Sequence, residues 1–455
     1  MTIFFIILSL YYFQNNPFIP EKKYDLSCEG CNVIFINVEL LRADHVDLIN
    51  SDKNITPNIN AFFNKGVIFT NVRSPAGATY NSITSVFTGL EQKINEHKNP
   101  KFIKNDGLFL IDLVPIIPQI LKQKNYATIS LDMGGYSGNK VNLDRGYDNY
   151  LKYDQTSTNS QIQDAIIAIK NFKKNSELFF SQIHFNTLHY PYNIPKELVP
   201  VIKPNYKIIG DNIRKVYKIP LSAKVITTPF DKNESNDIMY TVKVNGEEKN
   251  YLVSDYNEMR EEYETQVTYV DYELKQLFDF LKDNNYLDNT IVILFSNHGE
   301  GLFDNGVPNH GVCYESCVHV PLLIRHPKIK EQIIINDQVG LIDLAPTLYD
   351  ILNIQIDYNI SGKSFYNELM QTGNITREYT YTSSNGCEYI TKDNLKLIIK
   401  SGGIKEFYDL NTDPYETNNL YSKNNPLIRD FETELIKQEI NSLILLDQLK
   451  ERFGN

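Results

Sequence analysis

Continuous apolar, β-rich runs alternate along the chain with stretches of helical spacing. Asn32 to Val38 (NVIFINV) lacks the polar alternation of a strand with one wet face, which predicts a strand covered on both faces in a parallel sheet. Thr290 to Phe295 (TIVILF), Leu178 to Ile183 and Ala127 to Leu131 repeat the pattern. Helical spacing around Ile117 to Gln123 precedes the Ala127 run, and Tyr269 to Lys282 precedes the Thr290 run. Polar residues follow the strands closely: Glu39 after the first, Ser296, Asn297 and His298 after Phe295, and His184 and His189 after Ile183. Strand and helix in alternation predict an α/β fold, a doubly wound and mostly parallel sheet, whose site lies outside the carboxyl ends of the strands. Glu39, His184, Asn297 and His298 should therefore converge on one edge, although strand order is not legible at this level.

Between about Pro200 and Glu261 the chain is polar and rich in Lys and Asn, which reads as an insertion near the site, a substrate lid with a hairpin over Tyr240 to Leu252 turning at Asn245-Gly246. Leu341 to Ile354 again has helical spacing. From roughly residue 371 short strands at Leu395 to Ile399 and Phe407 to Leu410, a turn at Asp413-Pro414 and a helix over Leu427 to Phe453 predict a small C-terminal α+β subdomain. The expected organisation is an N-terminal segment 1–27, a main domain 28–370 carrying the insertion at about 200–261, and a subdomain 371–455.

The apolar run Ile3 to Phe13 falls short of the roughly 20 residues of a spanning helix. It has the character of a signal-peptide core or a clipped anchor, without basic residues before it or a clear cleavage site, and a buried N-terminal helix is the alternative. Export or membrane attachment is the expectation.

With 455 residues, 42% hydrophobic and 22% charged, core size is not limiting. The balance of 45 Lys and Arg against 56 Asp and Glu, a net charge of −11, argues against a general nucleic-acid binder. An anionic substrate would have to be met by a local metal or a helix terminus. The five cysteines (Cys28, Cys31, Cys313, Cys317, Cys387) do not read as a disulfide scaffold; their close pairs admit a zinc site or a redox pair, which the spacing supports poorly.

Glu39, directly after a buried strand, is a hard metal ligand or a capping carboxylate, and taken alone its position favours the cap. His298 beside Gly299 is equally ambiguous alone. The two together, at neighbouring strand ends, make half of a zinc or manganese site. Thr79 precedes a short helical run to Thr88 that stops at Gly89. It fits an ordinary N-cap, but a hydroxyl at a helix N-terminus beside a cation could also be ionised, with free N–H groups facing an anionic ester.

Asn32 to His45 (NVIFINVELLRADH), Thr56-Pro57-Asn58 with Gly66 to Asn71 (GVIFTN), and Thr79 to Gly89 (TYNSITSVFTG) resemble the opening motifs of sulfatases. Leu287 to Gly301 (LDNTIVILFSNHGEG), Asn309-His310-Gly311, Val320 to Arg325 (VPLLIR), Leu341 to Leu348 (LIDLAPTL) and Phe407 to Leu420 (FYDLNTDPYETNNL) resemble later landmarks of the family, in the right order. The resemblance implies an alkaline phosphatase-like fold with Glu39 at the first metal-binding position, Thr79 at the nucleophile, and Asn297 and His298 at the later ligand pair. His189 and His310 match histidines that hold substrate or a second metal in phosphate-handling relatives, and His184 is a weaker candidate.

The departures carry information. The C/S-x-P-S-R motif that yields formylglycine is here Thr79-Tyr80-Asn81-Ser82-Ile83, so the aldehyde cannot form and the supporting Arg is missing. Leu40 stands in the second acidic position, which disfavours calcium. The Glu and Thr combination is similar to phosphoethanolamine and lipoteichoic acid transferases, implying one Zn²⁺ or Mn²⁺, with room for a second metal, and a phosphate-type ester, with a lipid or glycan head group as substrate. Asn297 replaces the relatives' Asp and would weaken the metal. Two other readings stand beside this one: a sulfuric ester hydrolase working without formylglycine, and a binding protein that has lost turnover.

Overall fold

A computed structural model of the chain describes residues 25–95, 114–133, 137–138, 142–154, 157–175, 177–190, 256–370, 377–384 and 386–453, with short stretches between 192 and 253. Ile3 to Phe13 lies outside the described residues. Among those described, no helix is long and apolar enough to cross a membrane.

An eight-stranded sheet organises the main domain. Asn32–Val38 lies at its centre, parallel to Thr290–Phe295 on one side and to Phe179–Phe185 on the other. Ala127–Asp132 and then Asn149–Lys152 extend the parallel array, while Leu322–Arg325 and Val67–Phe69 continue the other flank, beginning with an antiparallel pairing. The apolar runs behave as doubly covered strands should. Val33 and Phe35 point into one core, and Ile34, Ile36 and Val38 into the other. Ile291, Ile293 and Phe295 divide from Val292 and Leu294 in the same way. Each fully buried aliphatic or aromatic side chain contributes about 1.5–3 kcal/mol, so a register slip of one residue in these strands would be costly.

Helices cover both faces. Thr158–Lys174 places Ile162, Ala165, Ile166 and Ile169 on one core, together with Tyr263, Val267, Val270, Leu274 and Leu277 of the long helix Tyr256–Asp283. On the other face, Thr79–Thr88 contributes Tyr80, Ile83, Val86 and Phe87 beside Ile117–Gln123 and Leu344–Ile351. The Thr79 helix ends where expected, with Gly89 in the left-handed region at φ 68°. Its start is one residue earlier than expected: Ala78 is the cap and Thr79 is the first helical residue.

The C-terminal part is an antiparallel meander of Thr380–Ser384, Cys387–Lys392, Leu395–Lys400 and Lys405–Asp409. Pro426–Phe453 packs Ile428, Phe431 and Leu435 against it through Ile390, Leu397 and Phe407. In the insertion, Ile238–Val244 and Glu247–Val253 form the expected hairpin, with Val244 opposite Glu247, and Lys224–Thr227 adds a third strand. The turn and most of the insertion lie outside the described residues.

Two expectations are corrected. The cysteines, which do not read as a disulfide scaffold, nevertheless form two bridges, Cys28 with Cys31 and Cys313 with Cys387, and leave the buried Cys317 free. The Cys313–Cys387 bridge spans 74 residues and ties the loop after His310 to the C-terminal sheet. His184 lies within the strand Phe179–Phe185, not after it, because the buried run continues through Phe185.

Candidate active site

The parallel register brings the strand ends together. Asn37 is level with both His184 and Phe295, and Asp132 is level with His184. Glu39, Asp132, His184, Asn297 and His298 consequently occupy one edge, all buried. The Thr79 helix abuts the same edge through its N-terminus. Its approach depends on Gly77, where a Cβ would fall 2.2 Å from the carbonyl oxygen of Val312. Gly311 also donates its N–H to the Gly77 carbonyl at 2.6 Å. Only a residue without a side chain lets these two backbones meet.

At the centre, the Thr79 hydroxyl donates to Glu39 Oε1 in a short contact and lies 3.0 Å from His298 Nε2. His298 donates from Nδ1 to the carbonyl of Gly299 at 2.9 Å, which leaves a lone pair on Nε2. Burial and the neighbouring His310 hold the His298 imidazole below its ordinary range, so that lone pair stays available. The hydroxyl's proton is already given to Glu39, so two lone-pair atoms face each other across 3.0 Å. A cation held by both would relieve that conflict.

Asn297 supplies a further donor. Its N–H donates to Asn37 Oδ1 at 3.1 Å, and its carbonyl accepts from Ser74 at 2.5 Å and from Ser82. The amide group itself, fully buried, has no protein partner on either Oδ1 or Nδ2 among the described residues. An orphaned buried amide costs about 1–3 kcal/mol, a cost that ligation removes. Glu39, Thr79 and His298 converge through these contacts and Asn297 adds an orphaned amide, donor types that a divalent cation takes. Among the described residues no group of three His, Cys, Asp or Glu is placed to hold a metal, so a cation here would also have to engage the hydroxyl and the amide.

Two further histidines extend the site. The His298 and His310 rings lie 4.7 Å apart, and His310 and His189 are 5.3 Å apart. His310 Nδ1 faces Glu300 Oε2 at 3.3 Å. Burial opposes charge on His310, but Glu300's charge and hydrogen bond raise its pKa above the usual imidazole range. His189 donates from Nδ1 to the carbonyl of Tyr190 at 3.0 Å.

Behind Glu39, His184 Nε2 lies 3.0 Å from Glu39 Oε2, and its Nδ1 lies 3.2 Å from Asp132 Oδ2. Burial would depress the His184 pKa; the Asp132 charge and the hydrogen bonds to Asp132 and Glu39 raise it to about 10. Burial likewise opposes charge on Glu39, and the hydrogen bond and charge of His184 carry its pKa well below the usual carboxylate value. Leu40, in the position of a second acidic residue, is buried at φ 70° and donates nothing to the site; its carbonyl accepts from Tyr263 at 2.6 Å.

Asp132, Ser74 and Glu300 had no role in the sequence reading. Asp132 alone left a trace, as the one charged residue ending an otherwise buried strand.

The fold is similar to that of a solved protein of Vibrio parahaemolyticus in the alkaline phosphatase superfamily, with a TM-score of 0.60 and 16% identity over 96% of this chain and 92% of that one. The family described as Sulfatase matches residues 31–354, and that of the N-sulphoglucosamine sulphohydrolase C-terminal region matches residues 300–443. The chain belongs to the sulfatase family. It is 23% identical over 444 residues to a sulfatase of Formosa agariphila, an alignment covering 87% of this chain and 84% of that protein. Among solved structures it is similar to a protein in complex with its substrate D-glucosamine-2-N,6-O-disulfate, with a TM-score of 0.63 and 19% identity over 93% of this chain and 98% of that one. The phosphonate monoester hydrolase of Agrobacterium radiobacter gives a TM-score of 0.63 at 18% identity, covering 92% of this chain and 96% of that one. Likeness at such identities speaks for the fold alone.

Proposed function

We propose that the protein is a metal-assisted ester hydrolase or transferase that attacks a phosphate-type ester with the Thr79 hydroxyl. The observation that carries this reading is the contact of Thr79 with both Glu39 Oε1 and His298 Nε2 at the N-terminus of a helix. Zn²⁺ or Mn²⁺ held by Glu39, Thr79, Asn297 and His298 would lower the hydroxyl's pKa and neutralise charge on an anionic ester.

The chain's own groups account for the proton and charge movements. Thr79 Oγ1 attacks phosphorus as its proton passes to Glu39, the Oγ1–P bond forms, and the bond to the leaving oxygen breaks in line. His310, kept proton-rich by Glu300, donates to that leaving oxygen. The positive end of the Thr79 helix and His189 stabilise the non-bridging oxygens. Water, or a second alcohol in the transfer variant, then attacks the phosphothreonine, its proton passing to His310 as the Oγ1–P bond breaks and Thr79 takes its proton back from Glu39.

A sulfate ester is the second reading, favoured by the sulfatase names of the relatives and by the disulfated glucosamine bound to one neighbour. The same hydroxyl would attack sulfur directly, since threonine cannot become formylglycine. The glycan character of that neighbour's ligand also supports a sugar head group as substrate, ahead of a lipid. The two disulfides support a location outside the reducing cytoplasm, in line with an exported or anchored protein.

Parallel assays of aryl phosphate mono- and diesters, a phosphonate monoester and an aryl sulfate, with wild type and Thr79→Ala loaded with Zn²⁺ or Mn²⁺, test the proposal. Turnover of a phosphorus ester, abolished in Thr79→Ala, is expected. Turnover of the sulfate alone moves the assignment to the second reading. Metal-free protein that binds anions unchanged by Thr79→Ala marks a binding protein.

A further inference from the structure

Glu39 is held from behind as well as engaged in front. One of its oxygens, Oε1, faces Thr79 and His298; the other, Oε2, meets His184 Nε2 at 3.0 Å. His184 is in turn fixed by Asp132 at 3.2 Å through its other nitrogen. Asp132 accepts from Ser137 at 2.9 Å. Gln161 ties the strand ends together, donating at 2.8 Å to the carbonyls of both Leu131 and His184. Asp132 and His184 are fully buried. The two residues stand in adjacent strands at the same register position, so the sheet itself sets their spacing.

We propose that Asp132 and His184 are positioning residues for Glu39. They anchor Oε2 outside the reacting space, so that a single oxygen, Oε1, is presented to Thr79 and the cation. Without the anchor, the carboxylate is free to rotate about its terminal torsion, which is broad, and to bind with both oxygens or to turn from Thr79. Coordination by one oxygen also leaves more charge demand on the metal to be met by the Thr79 hydroxyl. The inference builds on the metal-assisted reading above, but the Asp132–His184–Glu39 chain is measurable without it.

The experiment uses full-length protein with ¹⁵N-labelled histidine and three variants, His184→Leu, His184→Gln and Asp132→Asn. In metal-free wild type, both ring N–H groups of His184 should give slowly exchanging signals, the Nδ1–H signal shifting or vanishing in Asp132→Asn. Titration with Zn²⁺ or Mn²⁺ alone should then show affinity lowered about 10–100-fold in His184→Leu. His184→Gln, whose amide can still donate to Glu39, should recover most of it. Melting temperatures accompany each variant, and Asp132→Asn carries the test should His184→Leu fail to fold. Absence of the paired ring signals in wild type overturns the anchor irrespective of metal. Wild-type metal affinity in both His184→Leu and Asp132→Asn, with the ring signals present, overturns its positioning role. Ring signals with no metal binding by wild type refute the metal-assisted reading and, with it, the cation half of the inference.

Discussion

Glu39 and Thr79, 40 residues apart in sequence, meet in a hydrogen bond from the threonine hydroxyl to the carboxylate at the carboxyl edge of the sheet. The carboxylate is delivered by the central strand and the hydroxyl by a helix packed on one face of the same sheet. The two groups are therefore placed by a strand and a helix that are each buried along almost their whole length.

Thr79→Ala should lower turnover of the preferred ester by at least about 1,000-fold, because no other hydroxyl replaces the attacking atom. Stability should change by less than about 1 kcal/mol, since Thr79 is only half-buried and Ala is a good helix former. Steady-state kinetics and urea unfolding on the same preparations check both halves.

Asn297→Asp should tighten Zn²⁺ or Mn²⁺ by about tenfold or more, since a carboxylate replaces a neutral amide oxygen. The metal-free variant should melt lower than wild type, because a buried charge beside Glu39 lacks a partner. Calorimetric titration and melting scans with and without metal decide it; unchanged affinity would remove Asn297 from the ligand set.

Breaking the Cys313–Cys387 bridge, by Cys387→Ser or by reduction, should cost about 2–5 kcal/mol. The bridge closes a 74-residue separation and anchors the chain just beyond His310. Denaturant unfolding with and without reductant measures the loss, and a weaker KM in the reduced protein would place part of it at the substrate end of the site.

The Glu315 and Glu416 carboxylates share the buried Lys396 ammonium, 2.8 Å from each, and respond to pH in opposite directions. Burial works against the Glu315 charge, but Arg73 and Lys396 lower its pKa from 4.5 to about 2. Its stabilisation is present above about pH 4.5 and lost as pH falls through about 2. Burial and the charge of Glu315 outweigh Lys396 and raise Glu416 from 4.5 to about 7. The folded state therefore holds that proton longer than the unfolded chain, and stability falls as pH rises from about 4.5 through about 7. Glu416→Gln should remove this fall and exceed wild type above pH 7 by on the order of 1–3 kcal/mol. Urea unfolding across pH 5 to 8 is the measurement.

Strands with unbroken apolar runs were legible in the sequence to the residue: Asn32–Val38 and Thr290–Phe295 begin and end where hydropathy says they do. Burial on both faces leaves such segments no alternative. The gathering of Glu39, Asn297 and His298 followed from the rule that parallel strands end on one edge, and Thr79 was legible from its helix. Other features depended on partners distant in sequence. Asp132 reads as an ordinary strand boundary until the sheet order sets it beside His184, and His184 itself lay one buried residue inside its strand. Cys313 seemed nearer to Cys317, but the loop geometry pairs it with Cys387 on the C-terminal sheet. Ser74 acquires meaning only through the carbonyl of Asn297, 223 residues away.

Intact-mass and peptide mass spectrometry of protein loaded with Zn²⁺ or Mn²⁺, mixed briefly with an aryl phosphate ester and quenched in acid, is the most direct test of Thr79 as nucleophile. The expected result is one phosphoryl adduct located on Thr79 and absent from Thr79→Ala. Rapid turnover without an adduct on that residue, or with full activity in Thr79→Ala, would contradict it.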